Sequence, residues 1–337
     1  IPYNKNSIHD MTVISMQAIW LQDKQLSWDG EQKLPSPASD EALIRVDLAG
    51  ICGTDLELLK GYYLFTGIPG HEFVGTVIEA PDNQSLIGKR VVGEINISCG
   101  ECDECLVGHP RHCNRRNVLG IKNHHGAFAE FLTLPVKNLH TVPDTVTNEQ
   151  AVFVEPIAAA CNILEQLSID ATTSILIMGA GRLGQLIAQV LNTTGCNLEV
   201  CIHHLSQQTL LNSFDIKTIT EKELLNRRYD CVIECSGAPS GLTTALLAVK
   251  PLGTIVLKST YHGKAHFDLS ILVTNEISLL GSRCGSYSNA IALLEQGKID
   301  LSLLVDKYYN LVDFKQAFED AARPGALKVL FKTAPES

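Results

Sequence analysis

The sequence lacks any apolar run approaching the ~20 residues that span a bilayer. No membrane helix is therefore expected. It is also short of positive charge. Its 27 Lys and Arg face 37 Asp and Glu, a net charge of −10, which disfavours broad electrostatic binding to nucleic acid. The first residues, Ile1-Pro2-Tyr3-Asn4-Lys5-Asn6, are polar and lack the apolar core of a signal peptide. A reducing cytoplasm is the expected compartment, where the 11 cysteines stay as thiols or metal ligands. The start at Ile1 suggests that residues before Met11 or Met16 are an upstream remnant, and they are left out of the fold expectation. Internal repeats and low-complexity tracts are absent. What is present is an ordinary globular composition, 45% hydrophobic and 19% charged, over 337 residues, a length that suits two domains.

Four cysteines stand at Cys99, Cys102, Cys105 and Cys113, in the pattern C-x2-C-x2-C-x7-C. Zinc binds thiolate well and takes four ligands in a tetrahedron, and short spacers let one loop wrap the ion. A closed shell of four thiolates leaves no open position, so such a metal builds structure. A disulfide framework does not explain four cysteines crowded into one short segment of a large chain. The stretch from Gly100 to His125 has little apolar periodicity, which leaves a metal as its organiser.

The first half reads as β-rich. Ala42–Leu48, Val74–Glu79 and Arg90–Ile95 are rich in β-branched residues and broken by Gly, Pro and Asp. Many short strands with turn signals suggest a partly open barrel. After Pro156 the pattern alternates. Ile157–Leu167 is apolar at helical spacing, Ser174–Met178 is a strand, and Arg182–Leu191 is a helix. Strands follow at Leu198–Ile202, Cys231–Glu234 and Thr254–Lys258. Such alternation predicts a parallel sheet covered on both faces. The sheet run ends near Ser278–Gly281, and Ala290–Gly297 reads as a helix with its stop at Gly297. Leu327–Phe331 reads as a strand returning to the first domain. The expected division is 1–156 with 286–337 as one domain, its metal lobe at about 96–116, and 157–285 as the other.

Gly179-Ala180-Gly181-Arg182-Leu183-Gly184 is G-x-G-x-x-G between a strand and a helix, the context a dinucleotide site requires. The first glycine makes the turn, the second admits a pyrophosphate, and the third allows close helix–sheet packing. The helix N-terminus then offers N–H groups to the phosphates. The position that reads the ribose falls at His203, followed by His204, with no acidic residue. This leans towards NADP or dual use with NAD, because no carboxylate repels a 2′-phosphate and an imidazole can donate to one. The alternative is that His203 merely caps the strand, since no Arg follows in the loop.

Cys52, His71 and Glu155 lie in three separate segments. Together they could make a three-ligand zinc site with an open fourth position. Singly, Cys52 reads as a buried small hydrophobe and His71 as a satisfied loop histidine. Glu155 before Pro156 reads as a carboxylate at a helix N-terminus.

These segments together resemble the zinc-dependent medium-chain dehydrogenase/reductase family. The matching elements are Cys52-Gly53-Thr54-Asp55, Gly70-His71-Glu72-Phe73-Val74-Gly75, the four-cysteine lobe, Glu155-Pro156 and Gly179–Gly184. They keep the family's order from about Met16 to the C-terminus. The resemblance implies a GroES-like, partly open β-barrel catalytic domain and a Rossmann doubly wound domain, with the active site in the cleft. It implies two zincs per chain, one structural and one catalytic, and NADP or NAD as cofactor. Cys52 and His71 would bind the catalytic zinc. Glu155 falls where alcohol dehydrogenases place a third cysteine and where polyol, sugar and threonine dehydrogenases often have Glu. Glu72 would sit behind the metal, able to swing in as a ligand or to pair with a buried cation. Lys328 falls near a position that contacts the pyrophosphate, or is a solvated strand residue. Thr54 would receive the alcohol proton, or cap a helix beginning near Asp55. Glu57 stands where many relatives have the His that passes that proton outward. Arg283 would meet the nicotinamide end or a neighbouring subunit.

The implied reaction is reversible oxidation of an alcohol of polyol, sugar or amino-alcohol type by hydride transfer. The implied assembly is a homodimer or homotetramer, often formed through the last Rossmann strands. Two rivals stand beside it. One is an NADP-dependent carbonyl or enone reductase with structural zinc only. The other is a dinucleotide-binding sensor without turnover.

Overall fold

The computed structural model describes residues 15–226, 228–260 and 267–333. The segment before Met11 lies outside these residues. Two large sheets organise the chain. The first has seven strands, in the order Val305–Asn310, Lys328–Lys332, Glu41–Gly50, Glu72–Glu79, Arg90–Gly93 and Leu139–Thr141, with Phe131–Pro135 also paired to Glu41–Gly50. Its pairs are antiparallel except that of Val305–Asn310 with Lys328–Lys332. The Glu41–Gly50 strand is buried along nearly all its length, because neighbours cover both its faces. Phe128, Phe318 and Phe331 fill this core, with the Phe128 and Phe331 rings 5.1 Å apart and tilted edge to face, a favoured aromatic geometry.

The second sheet is wholly parallel, in the order Lys217–Ile219, Asn197–Cys201, Ser174–Met178, Tyr229–Glu234, Val249–Leu257 and Ser278–Gly281. This is the doubly wound 3-2-1-4-5-6 order, in which the strand order reverses beside Ser174–Met178 and opens a crevice at the carboxyl ends. Ile175, Leu176 and Ile177 are fully buried, as a strand covered on both faces requires.

The helix between the sheets starts three residues before the apolar periodicity alone suggests. It spans Val154–Gln166, so Glu155 and Pro156 lie in its first turn. Proline is tolerated there and a carboxylate complements the helix dipole. The expected 156/157 division thus falls inside one helix. The helix expected at Ala290–Gly297 spans Tyr287–Glu295, and Gly297 follows it with φ +63°. The Lys328–Lys332 strand pairs antiparallel with Glu41–Gly50, Leu330 opposite Gly50 and Phe331 opposite Ala49, and so closes the chain onto its first sheet. No helix among the described residues is long and apolar enough to cross a membrane.

Candidate active site and metal centres

Cys52 is the residue where the Glu41–Gly50 strand gives way to the Gly53–Lys60 helix. It is the helix N-cap, at φ −95° and ψ 160°. Asp55 reaches back one turn, and its Oδ2 accepts the Cys52 N–H at 2.8 Å. Thr54 therefore lies inside the helix, and the capping role considered for it belongs to Cys52 and Asp55. The Thr54 Oγ1 is 3.8 Å from the Cys52 Sγ.

His71 immediately precedes the Glu72–Glu79 strand and is 3% exposed. Its Nδ1 faces the Asp55 Oδ1 at 3.4 Å, too long and poorly aligned for a hydrogen bond. Both atoms are otherwise without a hydrogen-bond partner among the described residues. Burial pulls the His71 pKa down, but the negative charges of Asp55 and Cys52 outweigh it and hold it well above the usual imidazole value. The donor atoms of Cys52, His71 and Glu72 lie within 4.8 Å of one another.

Glu72 and Glu155 differ in their compensation. Glu72 is 1% exposed and its Oε2 accepts a hydrogen bond from the Lys328 Nζ. Gly50 makes room for that pair, because a Cβ there would stand 2.8 Å from the Glu72 Oε2 and 3.2 Å from the Lys328 Cδ. Lys328 thus takes neither expected role. Its side chain starts the returning strand pointing inward, so the ammonium is enclosed against Glu72 and is neither solvated nor directed to a pyrophosphate. Glu155 is half-buried and makes no hydrogen bond or ion pair among the described residues. Burial raises its pKa and Glu72 adds to the rise, while the charges of His71, Lys328 and Lys258 lower it. These cations act on it from a distance, and none pairs with it directly among the described residues.

The donor chemistry fits zinc. A thiol, a buried imidazole with an orphaned Nδ1 aimed at a carboxylate, and a second carboxylate with no direct hydrogen bond or ion pair are the groups that zinc takes, with Asp55 orienting the imidazole from behind. Asp55 was not singled out as that orienting partner in the sequence, although its three-residue spacing from Cys52 on one helical turn is the signal for it.

The other four cysteines come together without bonding to one another. Cys102 Sγ lies 3.5 Å from Cys105 Sγ and 3.6 Å from Cys113 Sγ. Cys99 Sγ is 3.5 Å from Cys113 Sγ and 4.0 Å from Cys105 Sγ. Four thiolates on a tetrahedron around zinc stand about 3.8 Å apart, whereas a disulfide needs about 2 Å. All eleven cysteines are free thiols. Hydrogen bonding from the Glu101 N–H pulls the Cys99 thiol down to about 6. Leu106 and Val107 of this lobe are 72% and 66% exposed, so no apolar core organises it.

The glycine loop follows the Ser174–Met178 strand. Gly179 has φ +106°, and a Cβ there would meet the Cys235 carbonyl oxygen at 2.9 Å. A Cβ on Gly184 would stand 1.9 Å from the Gly179 oxygen, whereas nothing lies within 4 Å of one on Gly181. The Arg182–Asn192 helix begins here, with Leu183 and Gly184 in its first turn. Arg182 donates to the Ala321 carbonyl oxygen at 3.4 Å. Past the second strand, the backbone N–H groups of His203 and His204 both donate to the Gln207 Oε1, at 3.0 and 3.2 Å, and both residues are exposed.

Lys258 was also missed in the sequence. It follows the Val249–Leu257 strand, and its Nζ donates to the carbonyl oxygens of Ala159 at 2.6 Å and Arg283 at 3.0 Å. Burial lowers its pKa to about 8.

Residues 38–144 match the family of alcohol dehydrogenase GroES-like domains, and residues 183–296 match that of zinc-binding dehydrogenases. The chain belongs to the zinc-dependent medium-chain dehydrogenase/reductase family. It is an oxidoreductase with the GroES-like and Rossmann-like pair of domains. This dehydrogenase is 28% identical over 328 residues to the D-arabitol-phosphate dehydrogenase of Enterococcus avium, covering 90% of this chain and 93% of that one. An alcohol dehydrogenase of Escherichia coli solved with NADH superposes with a TM-score of 0.86 at 26% identity, over 94% of this chain and 99% of the other. A zinc-binding dehydrogenase of Sinorhizobium meliloti solved with NADP gives 0.85 at 26%, over the same shares.

Proposed function

We propose that this dehydrogenase oxidises a secondary alcohol of a polyol or related sugar alcohol to a ketone, reversibly, with NAD(P). The observation that carries this reading is the meeting of the Cys52, His71 and Glu72 donor atoms within 4.8 Å, with Glu155 near enough for the His71 charge to lower its pKa and Thr54 beside the thiol. The D-arabitol-phosphate dehydrogenase, similar along most of the chain, supports the polyol class.

In this reading Cys52, His71 and Glu155 hold the catalytic metal, while Glu72 stays tied to Lys328. A zinc held there supplies Lewis acidity to the alcohol oxygen. Asp55 fixes the His71 ring. Thr54 accepts the alcohol proton at Oγ1 and releases its own outward. The bare Gly181 backbone and the first turn of the Arg182–Asn192 helix bind the pyrophosphate. His203 and His204 border the ribose and admit a 2′-phosphate, which leaves NADP and NAD both usable. Cys99, Cys102, Cys105 and Cys113 hold the structural zinc. The protein acts in the cytoplasm, whose reducing state matches eleven free thiols.

We further read the assembly as a homodimer or homotetramer. The outer edge of the Ser278–Gly281 strand pairs with no strand among the described residues, and Leu279 on it is 36% exposed. A second copy would continue the sheet there, and Leu279→Lys should yield monomers in sedimentation, since an edge lysine blocks pairing.

The deciding experiment combines zinc content per chain with NAD and NADP reduction on polyols, sugars, amino alcohols and simple alcohols. Two zincs and chelator-sensitive turnover on a polyol are expected. One zinc and no alcohol oxidation would move the protein to the reductase or the sensor.

A further inference from the structure

Apart from the metal sets, one polar network joins three elements behind the cleft. Arg111 belongs to the four-cysteine lobe, two residues before Cys113. Its Nη1 donates to the Asn162 Oδ1 at 3.3 Å and to the Cys284 carbonyl oxygen, and its Nη2 donates to the Glu165 Oε2 at 3.0 Å. Asn162 and Glu165 sit on the Val154–Gln166 helix, whose first turn carries Glu155. Cys284 sits on the crossover that leads from the last parallel strand back to the first domain.

That crossover is fastened on every side. Arg283 donates to the Asn96 Oδ1 at 3.2 Å and to the Arg111 carbonyl oxygen at 2.7 Å. The Ser286 N–H donates to the Glu165 Oε1 at 2.7 Å, and the Asn162 Nδ2 donates to the Ser282 Oγ at 3.0 Å. The Lys258 Nζ joins the Arg283 carbonyl oxygen to that of Ala159. Gly285 lies directly on the helix, because a Cβ there would be 2.0 Å from the Ala158 oxygen.

As a stabiliser this network adds little at its charged centre. The Arg111 and Glu165 side chains are 34% and 27% exposed, and water-reachable pairs of this kind are worth little. What the fork of Arg111 fixes is geometry. It holds at a set spacing one helix, whose first turn carries Glu155, and one crossover, which leaves the carboxyl end of the last parallel strand, the edge where ligands of this fold bind.

We propose that Arg111 is a positioning residue that makes the four-cysteine lobe the latch between the two domains. Through it the folded lobe sets the placement of Glu155 relative to the nicotinamide end of the cleft. The inference rests on the alcohol-dehydrogenase reading for its kinetic part only. It also assigns the lobe a role in turnover beyond holding itself together.

The test compares Arg111→Gln, Arg111→Lys and Glu165→Gln with Arg115→Gln, a control at an exposed lobe pair with Glu101. Zinc content, thermal midpoint, NADPH and NADH affinity by fluorescence, kcat, KM and the isotope effect with deuterated alcohol are measured on the full chain. Arg111→Gln should keep two zincs and its midpoint within a few degrees. Its kcat should fall about tenfold or more, because small misplacements of reacting groups are costly, and the isotope effect should rise. Glu165→Gln should follow in the same direction, and Arg111→Lys should not restore the rate, since an ammonium lacks the planar fork. Arg115→Gln should match the parent. Unchanged kcat and isotope effect in Arg111→Gln, or a loss that tracks lost zinc, would overturn the proposal. If the parent oxidises no alcohol, the function reading fails, and the latch is judged by cofactor affinity. About tenfold weaker binding in Arg111→Gln sustains it, and equal binding sinks it.

Discussion

Lys328 and Glu72, 256 residues apart in sequence, form an ion pair with both side chains buried behind Cys52 and His71. The pair stitches the returning strand to the strand that presents the metal ligands. Removing one partner of a buried pair leaves a charge without solvent or partner, at a cost of about 3–5 kcal/mol. Lys328→Met should therefore lose about that much stability in denaturant unfolding of the zinc-loaded protein. The double variant Lys328→Met with Glu72→Gln should recover much of it, because the stranded carboxylate is gone. A single variant as stable as the parent would mean that Glu72 finds another cation, and the metal at Cys52 and His71 would be the one to look for.

Asp55→Asn tests the orientation of His71. An amide can still take the Cys52 N–H, but it removes the charge that faces the His71 Nδ1 at 3.4 Å. Partners that orient a metal-binding imidazole from behind are worth about 10–100-fold in metal affinity or activity. Competition with a chelator should release one zinc from the variant at correspondingly lower chelator concentration, while the four-cysteine zinc remains. Equal retention of both zincs would remove Asp55 from the site.

The elements that carried their own pattern were legible in the sequence. The G-x-G-x-x-G turn, the alternating strands and helices after Pro156, and the cysteine spacing each reflect a local constraint, and each appears where expected. Cys52 and His71 were readable only through their joint resemblance to a family, because ligands remote in sequence leave no periodic trace. The true partner of Lys328 was not readable. A lysine at the head of a strand looks solvated unless one knows that a glycine on the neighbouring strand, Gly50, opens a space for its side chain. Lys258 and Arg111 were invisible for a related reason. Their acceptors are mainly backbone carbonyls and side chains of distant segments, which no motif encodes.

Two glycines of the cofactor loop separate binding from folding. A Cβ at Gly181 points into open space, so Gly181→Ala should fold normally and lose NAD(P)H affinity, because the methyl occupies the approach of the pyrophosphate. A Cβ at Gly184 collides with the backbone of Gly179, so Gly184→Ala should lower the thermal midpoint even without cofactor. Fluorescence titration and thermal melts on the apo-protein read the two effects apart. A Gly181→Ala variant that binds NAD(P)H as tightly as the parent would place the pyrophosphate elsewhere.

The acid limit of stability should depend on Asp320. This buried carboxylate accepts from the Lys307 Nζ at 2.6 Å, from the Tyr309 hydroxyl and from the Gln316 Nε2 at 3.2 Å, and it pairs with Arg323 at 2.7 Å. The hydrogen bond from Lys307 leads in holding its pKa at about 2, below the value of about 4 that it takes in the unfolded chain. Because the folded value is the depressed one, the charged form stabilises the fold at every pH above about 4. That contribution shrinks as pH falls from about 4 towards 2, where the unfolded chain takes up a proton that the folded one refuses. Asp320→Asn should accordingly melt below the parent at pH 7, with a gap that narrows steadily between pH 4 and pH 3. A gap that stays constant across that range would show that the amide fails through its shape, and that the charge of Asp320 contributes nothing to the fold.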